Sequence, residues 1–159
     1  MRKRLFVLLT LVVAVSGCSE PVRVEEALRL TEVQTGWYDA GIVDQKNKLV
    51  PSISLRLENI SQEPIASVQL NAIFRREGEA EAWGEHYVRA IGTDGLPGGQ
   101  TGGSIVLRSN LGYTGTQSRL QMLQNAQFID TKVEIFGKQG SRTWQKLGEF
   151  VIDRQLLTQ

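Results

Sequence analysis

The stretch Pro51–Arg76, PSISLRLENISQEPIASVQLNAIFRR, decides the fold. Apolar side chains alternate with polar ones in each of its halves, as Ile53, Leu55 and Leu57, and again as Val68, Leu70, Ala72 and Phe74. A period of two residues predicts half-buried strands. The polar connection 59–64 ends in a proline, and we expect the two strands to pair as an antiparallel hairpin.

The same alternation, working outward, predicts further strands at Leu28–Tyr38, Trp83–Ile91, Ser104–Ser109, Phe128–Phe136 and Thr143–Ile152. A change of face near Glu32 predicts a bulge in the first of them or a switch of that strand between sheets. The segment Ser118–Gln124 is the one helical candidate, with Leu120 and Leu123 on a shared face. About seven strands with almost no helix favour an all-β fold, a sandwich of two antiparallel sheets with one short helix. A parallel sheet would need helical crossovers between its strands.

The residues Leu57-Glu58-Asn59-Ile60-Ser61, followed by Pro64-Ile65-Ala66-Ser67-Val68-Gln69-Leu70, form a strand, an Asn-x-Ser turn with proline, and a second strand. This pattern resembles the Ig-like domains of the FxLYD kind found in bacterial lipoproteins. The Phe-x-Leu-Tyr-Asp string itself is absent from the chain. The resemblance implies an Ig-like sandwich and export, and it implies no activity and no site residues.

The N-terminus has the layout of an export signal. Arg2, Lys3 and Arg4 precede the apolar run 5–15, which leads into Val15-Ser16-Gly17-Cys18. This ending resembles the lipobox of bacterial lipoproteins, which implies cleavage before Cys18 and three acyl chains on that residue. The alternative is an uncleaved anchor or a buried helix, but the run is shorter than the roughly 20 residues that span a bilayer.

These features predict four segments. We expect a lipoprotein signal peptide at 1–17, a lipidated tether at 18–27, the β-sandwich domain at 28–154 and a C-terminal tail at 155–159. Ser19 follows the lipidated cysteine. In lipoproteins of diderm bacteria an aspartate at that position favours the inner membrane, so the resemblance implies the outer membrane, facing the periplasm.

Charge and cysteine content exclude several kinds of chemistry. The chain has 18 Lys and Arg, of which three leave with the signal peptide, against 17 Asp and Glu, so the mature chain has a formal net charge of −2. A nearly neutral chain does not favour nucleic acid as a partner. Cys18 is the one cysteine, so once it is acylated no disulfide and no thiolate metal site remains.

The candidate catalytic groups do not form a recognisable set. His86 is the one histidine, and a zinc site or a catalytic triad needs partners that the sequence does not place beside it. Glu77, Glu79, Glu81 and Glu85 lack the layout of a calcium loop. The glycine-rich loop 92–103 lacks the lysine and the following helix of a phosphate-binding loop, and its glycines instead indicate turns with positive φ. We expect no enzyme activity, no metal and no cofactor.

The segment 108–115 is a candidate recognition site. Arg108, Asn110 and Tyr113 combine a forked cation, an amide and an aromatic ring in a turn-rich stretch, and Arg and Tyr are enriched in recognition patches. The alternative is a structural corner in which the tyrosine binds the backbone. Three tryptophans, Trp37, Trp83 and Trp144, lie near strand ends, and we expect core packing unless two of them are exposed side by side as a carbohydrate or peptide platform.

Three functional hypotheses remain open from the sequence. The first is a membrane-anchored envelope lipoprotein acting as a non-catalytic interaction or assembly module, with the bilayer and an envelope protein as its partners. The second is an accessory lipoprotein of an envelope transport system that handles lipid or a small molecule, which requires an apolar cavity or patch. The third is a small hydrolase, which requires a pocket that joins His86 to a carboxylate and a hydroxyl.

Overall fold

A computed structural model describes residues 23–157, which form a sandwich of two antiparallel sheets. The elements are α1 (Val24–Ala27), β1 (Leu28–Val43), β2 (Lys46–Asn59), β3 (Val68–Arg76), β4 (Gly84–Ile91), β5 (Ile105–Arg108), β6 (Tyr113–Gly115), α2 (Arg119–Gln124), β7 (Thr131–Gln139) and β8 (Gln145–Val151). The first sheet has the order β1-β2-β5, with β6 also paired to β2, and the second has the order β4-β3-β7-β8. The predicted fold class is confirmed, with eight strands and two short helices among the described residues.

The core lies between the sheets and is built from the predicted alternation. In β2 the side chains of Ile53, Leu55 and Leu57 are at most 1 % exposed, and in β3 Leu70 and Phe74 are fully buried. The partner residues Val133 and Ile135 of β7 face the same core. The period of two therefore assigned the inward face of these strands correctly.

The predicted pairing of β2 with β3 is wrong. β2 pairs with β1 and β5, whereas β3 pairs with β4 and β7, so the connection 60–67 crosses from one sheet to the other. The two apolar faces meet across the core instead of lying side by side. Asn59, which is completely buried, fixes the crossing because its Nδ2 donates to the carbonyls of Glu63 and Leu96, both at 2.9 Å.

The true partner of β2 is the long strand before it. β1 and β2 join through a two-residue turn, Asp44 and Gln45, both with positive φ (49° and 63°). Two positive φ values give the turn twist that matches paired strands. Further along, the β1–β2 register shifts between Thr31 and Gln34, and Glu32 has a φ of 48°. This confirms the predicted bulge.

At both ends, the folded domain extends beyond the expected limits of 28 and 154. Val24 and Ala27 of α1 are buried in the core, so residues 24–27 pack with the sandwich rather than serving as free tether. At the other end, the backbone N–H of Trp37 donates to the Gln155 carbonyl (2.8 Å), and the backbone N–H of Leu157 donates to the Trp37 carbonyl (3.0 Å). The tail to residue 157 thus adds backbone pairing to β1. Cys18, the predicted signal peptide, the first part of the predicted tether and the last two residues lie outside the described residues.

The predicted helix is confirmed, but its buried face is different. Ser118 caps α2, since its Oγ accepts from Gln121 N–H while the Gln121 side chain accepts from Ser118 N–H. Met122 and Leu123 are buried, whereas Leu120 is 60 % exposed. In a helix of six residues the neighbouring strands, not helical periodicity, decide which side is covered. Neither helix described between residues 23 and 157 is long and apolar enough to cross a membrane.

Candidate functional site: a polar cleft over an aromatic cluster

The three predicted recognition residues do not come together as one site. Arg108 lies on the outer face of the first sheet, where its guanidinium carbon is 3.6 Å from the centre of the Tyr38 ring. The two side chains meet over β2, because Arg108 pairs with Ser52 and Tyr38 pairs with Val50. Both of these β2 residues are buried. Arg108 therefore covers the sheet with its flat cation, which is a packing role.

Asn110 serves the junction between the two sheets. Its side-chain carbonyl accepts a hydrogen bond from the backbone N–H of Glu85 at 3.0 Å, which ties the loop after β5 to the start of β4. Beside it, the Ser109 hydroxyl accepts from Leu111 N–H at 3.1 Å. The acceptor oxygen of Asn110 is thus already used inside the fold.

Tyr113 belongs to a compact aromatic cluster at the end of the sandwich. Its ring centre lies 4.6 Å from that of Phe128, 4.9 Å from Trp83 and 5.7 Å from Trp37. Its hydroxyl donates to the Ile129 carbonyl at 3.3 Å. Burial raises the pKa of Tyr113, and the Arg76 guanidinium beside it opposes that rise only in part. Enclosure of the ring thus disfavours its charged phenolate form.

A cleft of about 340 Å³ opens over this cluster, between β6 and α2. Its lining combines two aromatic rings, a thioether, hydroxyls and amides: Tyr113, Thr114, Gly115, Thr116, Gln117, Met122, Asn125, Gln127 and Phe128. The volume lies at the lower end of the range of ligand pockets, about 300–1,000 Å³. None of these lining residues is charged. The cleft is therefore suited to hydrogen-bonding an uncharged polar group.

The local sequence builds the cleft from two directions. Gly115 lies against Met122, where an added Cβ would be 3.2 Å from the sulfur, so glycine lets α2 approach β6 closely. On the rim, Asn125 Nδ2 donates to Gln117 Oε1 at 3.4 Å. The Gln117 backbone carbonyl accepts from Asn47 Nδ2 at 2.7 Å, which attaches the rim to β2. Two amides are thus positioned across the opening before any ligand arrives.

Sequence reasoning found Tyr113 but missed the rest of this cleft. Gln117 precedes the predicted helix, and Asn125 and Gln127 follow it, in connections where polar residues are ordinarily solvent-facing. A signal was available in the concentration of Gln and Asn over 117–127, which contains no acidic residue. Only the folding of α2 against β6 turns that concentration into one surface.

The tryptophans do not form a shared platform. Trp37 is fully buried and Trp83 half-buried, with ring centres 6.5 Å apart, so both belong to the aromatic cluster. Trp144 is 38 % exposed and lies in another part of the fold, where its ring meets that of Tyr87. The requirement of two exposed tryptophans side by side is not met.

The single histidine holds the two sheets together. His86 Nδ1 lies 2.8 Å from the Arg108 carbonyl oxygen and 3.3 Å from the Arg108 N–H, so the ring joins β4 to β5. Within residues 23–157 there is no group of three or more His, Cys, Asp or Glu that could hold a metal ion. In the acidic segment after β3, Glu79 pairs with Arg76 at 2.8 Å. Gly95 and Gly99 of the glycine-rich loop have positive φ (79° and 72°), as their turns require.

Comparisons with known proteins leave the family open. No family model matches the chain, and no curated protein matches it. A solved structure with some likeness is the crystal structure of the ligand-binding region of serine-glutamate repeat protein A (SgrA) of Enterococcus faecium. The two are 11 % identical, with a TM-score of 0.29, over 71 % of this chain and 89 % of that chain. A likeness at this level carries no argument about the fold's relationship or the function.

Proposed function

We propose that the protein is a lipid-anchored, non-catalytic interaction module of the bacterial cell envelope. The anchorage rests on the lipobox-like sequence ending in Cys18 and on its resemblance to lipoproteins. The Ig-like character of the sandwich rests on the resemblance of segment 57–70 to FxLYD domains. The outer membrane is the proposed location because Ser19, rather than aspartate, follows the lipidated cysteine.

The observation that carries the proposal is the separation between the cleft and the end of the sandwich at which the chain enters. The chain enters the sandwich through α1, and Leu28 at the start of β1 pairs with Asn59. The cleft lies beside β6, which pairs with residues 47–49 near the other end of β2. From Asn59 back to Leu49 the strand covers ten residues, or about 33 Å. An anchored domain would present the cleft away from its own membrane.

The chemistry of the cleft defines the kind of partner. Its rim offers amides and hydroxyls, its floor offers the rings of Tyr113 and Phe128, and none of its lining residues is charged. Ligand sites of this type combine apolar area with a few placed polar groups. We therefore propose a partner that presents uncharged hydrogen-bonding groups, and we assign Tyr113 to the floor of the site. Arg108 and Asn110 would support that surface without contacting the partner.

The non-catalytic part of the proposal is supported by the role of His86. Its Nδ1 is engaged with the backbone of Arg108, and the carboxylates with lowered pKa values have structural partners. Asp39 pairs with Arg119, and Glu134 pairs with Arg75 and Lys146. These lowered pKa values follow from ion pairs rather than from a reacting site.

The test is site-specific photocrosslinking of the full-length protein in its native envelope. A benzophenone amino acid at Gln127, on the cleft rim, should yield a discrete crosslinked product. The matched control places it at Glu149, exposed on β8, away from the cleft. Equal products from the two positions, or none from Gln127, would contradict the cleft as the binding site. Anchorage is tested separately with Cys18→Ser, which should abolish acylation detected by mass spectrometry.

A further inference from the structure

A second surface, on the outer face of the second sheet, combines exposed aromatic rings with cations. We define the outer-face patch as Tyr87, Arg89, Lys138 and Trp144. Tyr87 is 56 % exposed, and Trp144 is 38 % exposed. Their rings meet edge to face with centres 6.0 Å apart, and Lys138 Nζ lies 4.8 Å from the centre of the Trp144 ring. The Tyr87 hydroxyl donates to Gln69 Oε1.

Strand register places the patch residues on one face. Gln69 of β3 pairs with Arg89 on one side and with Lys138 on the other, and Asn71 pairs with Tyr87. Residues directly opposite each other in a sheet project to the same face. Arg89 and Lys138 therefore flank Gln69 in a single row across three strands.

The cations of the patch differ from the other cations on that face. Lys132 pairs with Glu149 at 3.0 Å, and Lys146 pairs with both Glu134 (2.8 Å) and Glu149 (2.6 Å). Arg89 and Lys138 form no ion pair with any carboxylate of residues 23–157. Carboxylates therefore neutralise Lys132 and Lys146, whereas the positive charges of Arg89 and Lys138 remain available at the patch.

The chain enters the sandwich beside this patch. Arg23 and Val24 line a small surface cleft with Gln139, Arg142, Thr143 and Gln145, the residues that precede and follow the β7–β8 turn. Trp144 lies within that stretch. Four residues lie between Cys18 and Arg23, so their Cα atoms are at most five residue steps, or about 18 Å, apart. An acyl anchor on Cys18 would therefore hold Arg23, which lines this cleft beside the β7–β8 turn, close to the bilayer.

We propose that the outer-face patch rests on the anionic phospholipid surface that holds the anchor, an inference that depends on the proposed lipidation of Cys18. Tryptophan and tyrosine favour the boundary between lipid and water, and lysine and arginine are attracted to anionic headgroups. The mature chain is net −2, so this attraction is local. The nearby carboxylates Glu25 and Glu26 are already paired with Arg23 at 2.6 and 3.3 Å.

Contact at the patch has a consequence for the distal cleft. A single tether leaves a domain free to rotate about its anchor, whereas a second contact through side chains limits that rotation. The patch lies at the end of the sandwich where the chain enters, and the cleft lies at the other end. Docking of the patch would fix the direction in which the cleft faces relative to the membrane.

The experiment uses the full-length acylated protein in liposomes that contain brominated phospholipid, a short-range quencher of tryptophan fluorescence. Vesicles rich in phosphatidylglycerol are compared with vesicles of phosphatidylcholine alone. We expect quenching of the wild type and of the control Trp83→Phe, and loss of most quenching in Trp144→Phe. Arg89→Gln combined with Lys138→Gln should reduce quenching on phosphatidylglycerol to the level seen on phosphatidylcholine.

The failures of the two proposals are distinguishable. Flotation and mass spectrometry first establish whether the protein is acylated and bound to the vesicles. If it lacks acyl chains, the anchorage falls and the docking inference falls with it. If it floats with the vesicles but Trp144→Phe leaves quenching unchanged, or the wild type is not quenched, only the docking inference is overturned. A patch that mediates association of two copies, seen as crosslinked dimers lost in Trp144→Phe without lipid quenching, would also overturn it.

Discussion

Replacing Gly84 with alanine tests the junction between the two sheets. Gly84 begins β4 in the second sheet, and it lies against Ser109, which follows β5 of the first. An ideal Cβ at Gly84 would lie 2.0 Å from Ser109 Oγ and 3.0 Å from Asn110 Oδ1. Its φ lies outside the left-handed region, so alanine is not disfavoured by the backbone itself. The cost therefore comes from crowding.

The expected magnitude follows from two opposing terms. Overpacking a tight site costs about 1–3 kcal/mol, and alanine recovers roughly 0.5–1 kcal/mol of the backbone entropy that glycine loses in a strand. The difference is a destabilisation of about 1–2 kcal/mol. For a domain of this size that lowers the melting temperature by roughly 5 °C.

The assay is chemical and thermal unfolding followed by tryptophan fluorescence. The control is Gly92→Ala, because Gly92 also lacks a left-handed φ and an added Cβ there meets nothing within 4 Å. This control should change stability little. The variant Ser109→Gly loses the hydrogen bond from Leu111, worth about 1 kcal/mol, but removes the obstruction. In that background Gly84→Ala should cost measurably less. Equal effects of Gly84→Ala and Gly92→Ala, or no coupling with Ser109→Gly, would refute the packing of this junction.

Three further predictions test the core, the ion pairs and the aromatic cluster. Leu70→Asp places an unpaired carboxylate where the side chain is fully buried, so the domain should be unfolded at room temperature by circular dichroism; a native spectrum would contradict the burial. The pKa of Glu134 is lowered by its hydrogen bonds to Arg75 and then Lys146, so this carboxylate stabilises the fold above the ordinary value of 4.5 and ceases to do so as the pH falls through its lower folded-state pKa. Glu134→Gln lacks this titrating carboxylate, so its free energy of unfolding should fall less than that of the wild type over that acid range, as measured by urea unfolding at several pH values. An acid profile identical to that of the wild type would contradict the pairing. Burial raises the pKa of Tyr113 above its ordinary value of 10.0, so its ring carbon resonance, followed by NMR with labelled tyrosine, should titrate above pH 10.0; a midpoint at or below that value would show that the ring is not enclosed as described.

The structure confirms the inward faces of the predicted strands and corrects their partners. Alternation marks Leu55 and Leu70 as core residues because an apolar side chain on every second residue has one favourable face. It does not identify the neighbouring strand, since hydrogen bonds between strands use backbone groups that every residue carries. The true turn, Asp44-Gln45, lacks the glycine that ordinarily indicates a tight hairpin. The polar connection after Asn59 therefore matches the sequence pattern of a hairpin turn more closely than Asp44-Gln45 does.

The sequence likewise identifies only part of the candidate site. Tyr113 stood out from the sequence because an aromatic ring lay in a turn-rich stretch. Arg108 and Asn110 stood out beside it, yet their partners, Tyr38 and Glu85, are distant in sequence and engage them inside the fold. Neighbours along a chain share a function only when their side chains reach the same side of the folded domain, and here they do not.

The sequence by itself determined the all-β class, the buried face of the central strands and the position of the short helix, because each depends on residues within a few positions of one another. The lipid anchor at Cys18 likewise rests on local sequence and stays a prediction. Only the tertiary structure decided which strands pair, how α2 and β6 form the cleft, and why Trp144 lies beside the point where the chain enters. Those arrangements depend on contacts between residues far apart in the chain, which form only when two apolar faces close on each other and exclude water.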